Sequence, residues 1–382
     1  MLKRIIIGPS YPLRGGISES NHALQNYFEE NHQNSKIVSY SLQYPKFLFP
    51  GKQQTVDSIS SSSSSTFNLI NTLNPFSWLK TAYWVINEKP NYVIIRYWHP
   101  YFAVCLSLIA KLIRKKSIFI IAWIDNINPH ESIPLQKFLT SYFIKSCDAF
   151  VVMSKSVKCD LLKYNHTLKN ILVCPHPIYN NFGKSIPKID ARKNLGLSNT
   201  TLNNNESKYI LFFGLIRNYK GLLILLDALA EKNISKLDVK LIIAGEFYDS
   251  KEKYCEKINN LGISDRVVLH DFYINNNDVV NYFCASDMVV QPYLAATQSG
   301  VSMIAYNFNR PLLLTNVGGL AEYVDHKKNG YLVSPNPKAI SSAIEDFYLH
   351  NREKPFSDSI KKKKDNYSWK NLAKTFDSLY KL

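Results

Sequence analysis

Tyr209-Ile-Leu-Phe-Phe-Gly-Leu-Ile-Arg-Asn-Tyr-Lys-Gly221 decides how this chain is read. Apolar, strand-favouring residues run into Gly214. A short loop then sets Arg217 and Lys220 three residues apart, and Gly221 opens an apolar helical stretch from Leu222 to Ala230. A strand, a glycine turn, two cations and a helix N-terminus together form a phosphate site. The free N–H groups and the dipole of the helix favour an anion there. Arginine can grip a phosphate through two parallel bonds, and lysine adds a point charge. An ordinary strand-to-helix turn with surface cations has the same outline, so the stretch needs company elsewhere in the chain.

The pattern around it is repetitive. Strands are expected at Tyr209–Phe213, Val239–Ala244, Val267–Leu269, Met288–Gln291 and Pro311–Thr315, with helices between them. The N-terminal half shows the same alternation. Its strands are expected at Lys3–Gly8, Lys36–Ser41, Tyr92–Arg96, Ser117–Ile124, Ala149–Met153 and Asn170–Cys174. Ser18 or Ser20 is the expected N-cap of the first helix. Alternation of this kind predicts parallel, doubly wound sheets. It breaks twice. Gln43 to Ser65 is irregular and ends in the run Ser60 to Ser65, which cannot build a core. Pro175 to Ser207 is rich in Pro, Asn, Lys and Ser. The expected organisation is therefore a domain over 1–180, a linker over 181–207 and a second domain over 208–366. An aromatic amphipathic helix, 367–382, closes the chain. Two such domains in series should meet at a cleft lined by the C-terminal ends of their strands.

Composition narrows the partners. The 382 residues exceed a usual single core, and 46% hydrophobic content is that of a globular chain. A net charge of +16 fits nucleic acid, an anionic membrane surface or phosphorylated small molecules. No basic-aromatic nucleic-acid motif is present, and the longest basic run is Lys361 to Lys364. Cys105, Cys147, Cys159, Cys174, Cys255 and Cys284 form no C-x-x-C pair and read as buried thiols of a reducing compartment. The N-terminus enters a strand directly, so no signal peptide is expected. Tyr101 to Ile113 is too short for a membrane span. The expectation is a cytoplasmic protein, free or peripheral on the inner membrane face.

Three further loops carry candidate chemistry. Thr297, Gln298, Ser299 and Gly300 follow the strand Met288–Gln291 and start a helix, which suits a phosphate or a sugar hydroxyl. Gly318 and Gly319 follow the next strand and allow a ligand to approach the backbone, with Glu322 one turn on. In the first half, Asp125, Asn126, His130 and Glu131 follow the strand that ends at Ile124. No D-x-D pair, H-E-x-x-H or EF-hand loop is present, so no metal is expected. The first strand is followed by Gly15-Gly16 rather than by G-x-G-x-x-G, which argues against a dinucleotide cofactor.

Taken together, these segments resemble glycosyltransferase family 4, the retaining, sugar-nucleotide-dependent enzymes of GT-B fold. The resemblance runs from the Gly15-Gly16 loop to the closing helix. It is carried most specifically by Phe213-Gly-x-x-Arg-x-x-Lys-Gly221, Thr297-Gln-Ser-Gly-Val301 and Gly318-Gly-x-x-Glu322. It implies that Arg217 and Lys220 grip the donor diphosphate, that Gly214, Thr297, Gln298, Ser299, Gly300, Gly318, Gly319 and Glu322 line the donor site, and that Gly15 and Gly16 lie against donor phosphate or sugar. It also implies an acceptor held by the first domain and a closing helix, 367–382, that packs back on that domain. The chain departs from the family in two places. The positions of its paired glutamates fall on Ala296 and Ile304, and its histidine position falls on Asp125. Asp125 and His130 are expected near the reacting sugar, with no base assigned. The implied activity is transfer from a nucleotide diphosphate sugar, without cofactor or metal, to a lipid-linked surface glycan, and no nucleic-acid partner is expected. An epimerase or hydrolase on the same fold, and a non-catalytic partner subunit, are the alternatives.

Overall fold

The computed structural model describes residues 2–45, 54–55, 65–128, 135–179, 182–198, 206–296 and 298–381. His130, Thr297 and residues 60–64 of the serine run lie outside the described residues. The chain forms two compact units, residues 1–177 with 368–382, and residues 178–367.

In the first unit the strands are β1 (Lys3–Ile7), β2 (Asn34–Leu42), β3 (Thr66–Asn71), β4 (Tyr92–Tyr97), β5 (Phe119–Ile124), β6 (Ala149–Val152) and β7 (Ile171–Val173). Helices α1 (Gly16–Glu30), α2 (Pro75–Asn87), α3 (Ala103–Arg114), α4 (Gln136–Ile144) and α5 (Lys155–Tyr164) alternate with them. All seven strands pair in parallel, in the order β3-β2-β1-β4-β5-β6-β7. A parallel sheet covered on both faces needs strands that are apolar on both sides. Ile-Ile-Ile in β1 and Ile-Ile-Ala-Trp-Ile in β5 meet that need and are buried.

The second unit repeats the plan with α6 (Lys188–Asn194), β8 (Lys208–Phe213), α7 (Leu222–Ala230), α8 (Lys232–Ser235), β9 (Val239–Ala244), α9 (Glu252–Asn260), β10 (Val267–His270), α10 (Val279–Ala285), β11 (Met288–Gln291), α11 (Gly300–Asn307), β12 (Leu312–Thr315), β13 (Gly330–Val333), α12 (Pro337–Leu349) and α13 (Glu353–Lys363). Its parallel sheet runs β10-β9-β8-β11-β12-β13. In both sheets the chain moves outward one way and then restarts beside the first strand. The reversals fall between β1 and β4 and between β8 and β11, and crevices for ligands open at such points.

The last helix, α14 (Trp369–Tyr380), belongs to the first unit. Asp377 explains why it docks there. Its carboxylate takes Arg4 of β1 at 2.8 Å and the Tyr92 hydroxyl of β4 at 2.6 Å, while Phe376 packs edge-on against Trp123.

Several expectations need correction. The stretch 181–207, expected as a linker with a short helix, belongs to the second unit where it is described. Its helix α6 is tied into the second unit by Lys188 and Arg192, which both pair with Asp287 at 2.7 and 3.1 Å. Helix α1 starts at Gly16 with Gly15 as its cap, at φ +121°. Ser18 and Ser20 lie buried inside the helix, and Ser20 Oγ donates back to the Ile17 carbonyl instead of capping. Strands β3 and β13 were not anticipated. They are short outer strands, and β3 (Thr-Phe-Asn-Leu-Ile-Asn) is only partly buried, so its apolar signal is diluted. Among the described residues no helix is long and apolar enough to cross a membrane.

Candidate active site

The crevice of the second unit is built by three loops, each following a strand. After β8 the chain turns at Gly214 (φ +93°), makes one 3-10 turn over Asn218–Lys220, and enters α7 through Gly221 at φ +69°. The loop after β11 presses against it. A Cβ at Gly221 would fall 1.9 Å from the Pro292 carbonyl oxygen, and the Leu294 N–H donates to the Tyr219 carbonyl at 2.7 Å. The loop after β12 joins in turn, the Gly319 N–H donating to the Ala296 carbonyl at 3.1 Å. The segments singled out in the sequence are thus stitched into one surface at the reversal point of the sheet.

Lys220 is the centre of that surface. It is only 8% exposed, and a Cβ at Gly214 would sit 3.3 Å from its Nζ and 3.6 Å from Val301 of α11. Its ammonium lies 5.6 Å over the ring of Tyr293 and has no carboxylate partner among the described residues. Burial, aided by the charge of Arg217, pulls its pKa down to about 7. A cation held this way is destabilised until an anion arrives. Arg217 is half-buried over the ring of Tyr248, at 5.0 Å, likewise without a carboxylate among the described residues. Stacking on one face leaves the edge of a guanidinium free to bond.

The helix start that faces these groups differs from the one the sequence favoured. The start of α7 is backed by the Pro292 carbonyl at Gly221. The start of α11 lies beside Gly214, and no side chain caps it. Ser299 occupies the cap position, buried, with its hydroxyl bonded to Tyr293, whose own acidity burial lowers. Gly300 opens the helix, and Gln298 is half-buried just before it. Gly318 (φ +48°) and Gly319 begin a 3-10 turn that ends at Glu322, which is exposed. Gly319 therefore holds two loops together, and Glu322 stays at the rim.

Glu246 was not anticipated. It is a buried carboxylate in the loop after β9, where its carbonyl accepts the Ile216 N–H at 2.8 Å. A Gly-Glu pair directly after an apolar strand was the available signal. Ala296 and Ile304, the positions of the family's glutamates, are both buried apolar residues here.

In the first unit, Asp125 follows β5 and is buried. Both its oxygens are taken by the guanidinium of Arg96 on β4, the Nη2 contact at 2.5 Å and the Nε contact shorter still. Arg96 also lies over Trp123, 3.4 Å from the ring centroid. His176 belongs to the same neighbourhood. Burial and the Arg96 charge lower its pKa to about 4, so it is neutral near pH 7, with Nδ1 2.7 Å from the Pro177 carbonyl. Neither Arg96 nor His176 was singled out from the sequence. Gly15 and Gly16 are exposed at the N-terminus of α1, with nothing within 4 Å of a Cβ built on Gly15. Among the described residues no group of three or more His, Cys, Asp and Glu is placed to hold a metal ion.

Both the sequence and the fold have known counterparts. Residues 207–350 match the family described as Glycosyl transferases group 1. The match lies within the second unit. An uncharacterized glycosyltransferase of Methanocaldococcus jannaschii is 28% identical over 263 residues, 66% of this chain and 64% of that protein. Spore coat protein SA of Bacillus subtilis is 27% identical over 217 residues, covering 54% of this chain and 55% of that protein. The matched part thus spans less than two thirds of these relatives. Among solved structures, Anabaena HepE in complex with UDP aligns over 99% of this chain and 100% of its own, with a TM-score of 0.75 and 16% identity. Sucrose-phosphate synthase of Thermosynechococcus elongatus aligns over 99% of this chain and 98% of its own, also with a TM-score of 0.75, at 14% identity. The fold is that of the GT-B glycosyltransferases: two parallel-sheet, Rossmann-like α/β domains.

Proposed function

We propose that this chain is a retaining glycosyltransferase of family 4. It moves a sugar from a nucleoside diphosphate to a hydroxyl of a lipid-linked surface glycan on the cytoplasmic face of a membrane. The observation that carries the reading is Lys220, a buried cation without a carboxylate partner among the described residues, next to Arg217 and the start of α11, which no side chain caps. The bond from the anomeric carbon to the diphosphate breaks, and its electron pair stays on the diphosphate. An acceptor hydroxyl oxygen bonds the carbon, and its proton passes to the departing diphosphate. Charge grows on the leaving group as the bond breaks, so Lys220, Arg217 and the helix N–H groups bind the transition state more tightly than the ground state. No metal or cofactor is part of this proposal. The HepE structure with UDP supports a uridine nucleotide as the first donor to try.

A panel of nucleoside diphosphates and nucleotide sugars, read by thermal stabilisation and by release of free nucleotide, tests the reading. A ligand at a hundred times its dissociation constant adds about 2.7 kcal/mol to stability. Stabilisation by one nucleotide, with sugar appearing on an added glycan, is the expected result. Stabilisation without turnover would make the chain a binding subunit, and no response to any nucleotide would end the proposal.

A further inference from the structure

Helices α2, α3 and α4 form one layer on the first sheet, with α3 packed against both neighbours. This layer has an unusual surface. Leu73, Phe76, Leu79, Tyr83, Val104 and Phe138 are all exposed, with Phe76 at 80%, Tyr83 at 68% and Phe138 at 67%. Single exposed apolar residues need no explanation, but a group on adjacent helices does. All but Tyr83 lie just before α2 or in the first two turns of α2, α3 and α4. Each of these helices follows a strand, so its start lies at the edge where the strand C-termini emerge, the ligand edge of this sheet.

Charge says what the layer meets. None of the residues of α2, α3 and α4 is Asp or Glu. Arg114 pairs with Asp148 at 2.7 Å, and Lys111 lies 3.5 Å over Tyr142. Lys80, Lys115, Lys116, Lys137 and Lys145 are exposed and form no ion pair among the described residues. Aromatic side chains that enter an interface, backed by basic ones without carboxylates, form the two-signal combination that holds a protein on anionic lipid. A protein partner would more often be matched by a mixed-charge rim.

We infer that the α2–α3–α4 face docks on an anionic lipid surface through Phe76, Tyr83 and Phe138. The inference rests on the lipid-linked acceptor proposed above and names the face that meets the lipid. Docking there brings the ligand edge of the first unit to the headgroups, where a lipid-linked hydroxyl is found.

The test is co-sedimentation with phosphatidylglycerol–phosphatidylcholine vesicles and with phosphatidylcholine vesicles alone. The wild-type chain binds the anionic vesicles, and salt weakens the binding. Phe76→Ser/Tyr83→Ser/Phe138→Ser lowers the partition coefficient by about tenfold or more. Lys80→Gln/Lys115→Gln/Lys116→Gln lowers the binding and reduces its salt dependence. Leu349→Ser, an exposed apolar site in the second unit, changes neither. Nucleotide-sugar hydrolysis in vesicle-free buffer stays at the wild-type rate in every variant. Unchanged binding of the serine variant would overturn the assignment of this face while leaving the acceptor proposal standing. A wild-type chain that hydrolyses donor but ignores anionic vesicles would overturn the lipid reading and leave the donor site intact. A concentration-dependent dimer in sedimentation velocity that the serine variant abolishes would give the face to a second copy of the chain and overturn the inference.

Discussion

The ammonium of Lys220 lies 5.6 Å over the ring of Tyr293, buried and without a carboxylate partner among the described residues. A titration follows from this pairing. The Lys220 pKa is depressed from 10.5 to about 7 in the ligand-free chain. Between those values the unfolded chain holds the proton and the folded chain does not, so stability rises with pH across that window and is flat below it. A bound diphosphate reverses the preference and returns the proton. UDP affinity should therefore fall with rising pH above 7, by up to about tenfold per unit, with about one proton taken up per UDP bound at pH 8. This window lies above the terminal phosphate's own titration, near about 6. Calorimetry in buffers of different ionisation enthalpy measures the uptake, and Lys220→Met should abolish it. Binding independent of pH from 7 to 9 would remove Lys220 from the diphosphate site.

Arg217 and Lys220 should act in the chemical step and not in folding. Arg217 is half-buried on Tyr248 and has no carboxylate to abandon among the described residues. Arg217→Ala and Lys220→Ala should each slow transfer by about 100-fold or more, the scale for losing one preorganised donor to developing charge. Lys220→Ala should also raise the melting temperature slightly, because a buried unpaired cation is gone. Steady-state rates beside melting curves check both. Wild-type turnover in either variant would place the leaving group elsewhere.

Transfer should be insensitive to chelator. If Arg217, Lys220 and the start of α11 supply the stabilising charge, turnover in EDTA should equal turnover in buffer. Loss of activity that magnesium or manganese restores would show that the cations need help.

Gly221 is expected to be a structural linchpin. Its φ of +69° strains any other L-residue, and a Cβ would strike the Pro292 carbonyl at 1.9 Å. Gly221→Ala should cost about 2–4 kcal/mol and loosen the loop that carries Lys220. Gly262 offers a control, with φ +62° and nothing within 4 Å of its Cβ. Gly262→Ala should cost only about 1 kcal/mol, the backbone part alone. Chemical denaturation of both variants separates strain from collision, and equal losses would show that the Pro292 contact relaxes freely.

Most of the architecture was legible because parallel strands buried on both faces read as unbroken apolar runs. Helix α7 begins and ends where the Leu222–Ala230 run does, and β9 and β11 match their apolar runs. What escaped was short or half-exposed. β13 (Gly-Tyr-Leu-Val) opens on a glycine and is only half buried, and β3 is broken by Asn68. At the site, the loops were legible as segments but their partners were not. Nothing local links Lys220 to Tyr293, or Asp125 to Arg96, since each pair is joined only by neighbouring strands. One cue was available. Arg96 interrupts an otherwise apolar run in β4, and a charge inside a central parallel strand needs a partner nearby.

That partner makes Asp125 the sharpest remaining test. Its carboxylate was expected beside the reacting sugar, but both oxygens are engaged by Arg96, which itself lies against Trp123. A buried bidentate pair of this kind is costly to break from one side, since the surviving charge is stranded. Asp125→Asn should therefore cost about 3 kcal/mol of stability. Arg96→Met/Asp125→Leu, which removes both charges, should recover most of that loss. The effect on turnover then distinguishes two roles. If the pair only holds β4 to β5, the double variant transfers sugar at the wild-type rate once folded. If the pair orients a group that touches sugar, the double variant is stable and slow, with turnover reduced far more than UDP affinity. Denaturation, calorimetry and single-turnover rates on the three proteins decide between them. A stable Asp125→Asn with wild-type turnover would contradict both roles, and the exposed Gly15-Gly16 turn at the start of α1 would become the place to look for contacts to the transferred sugar.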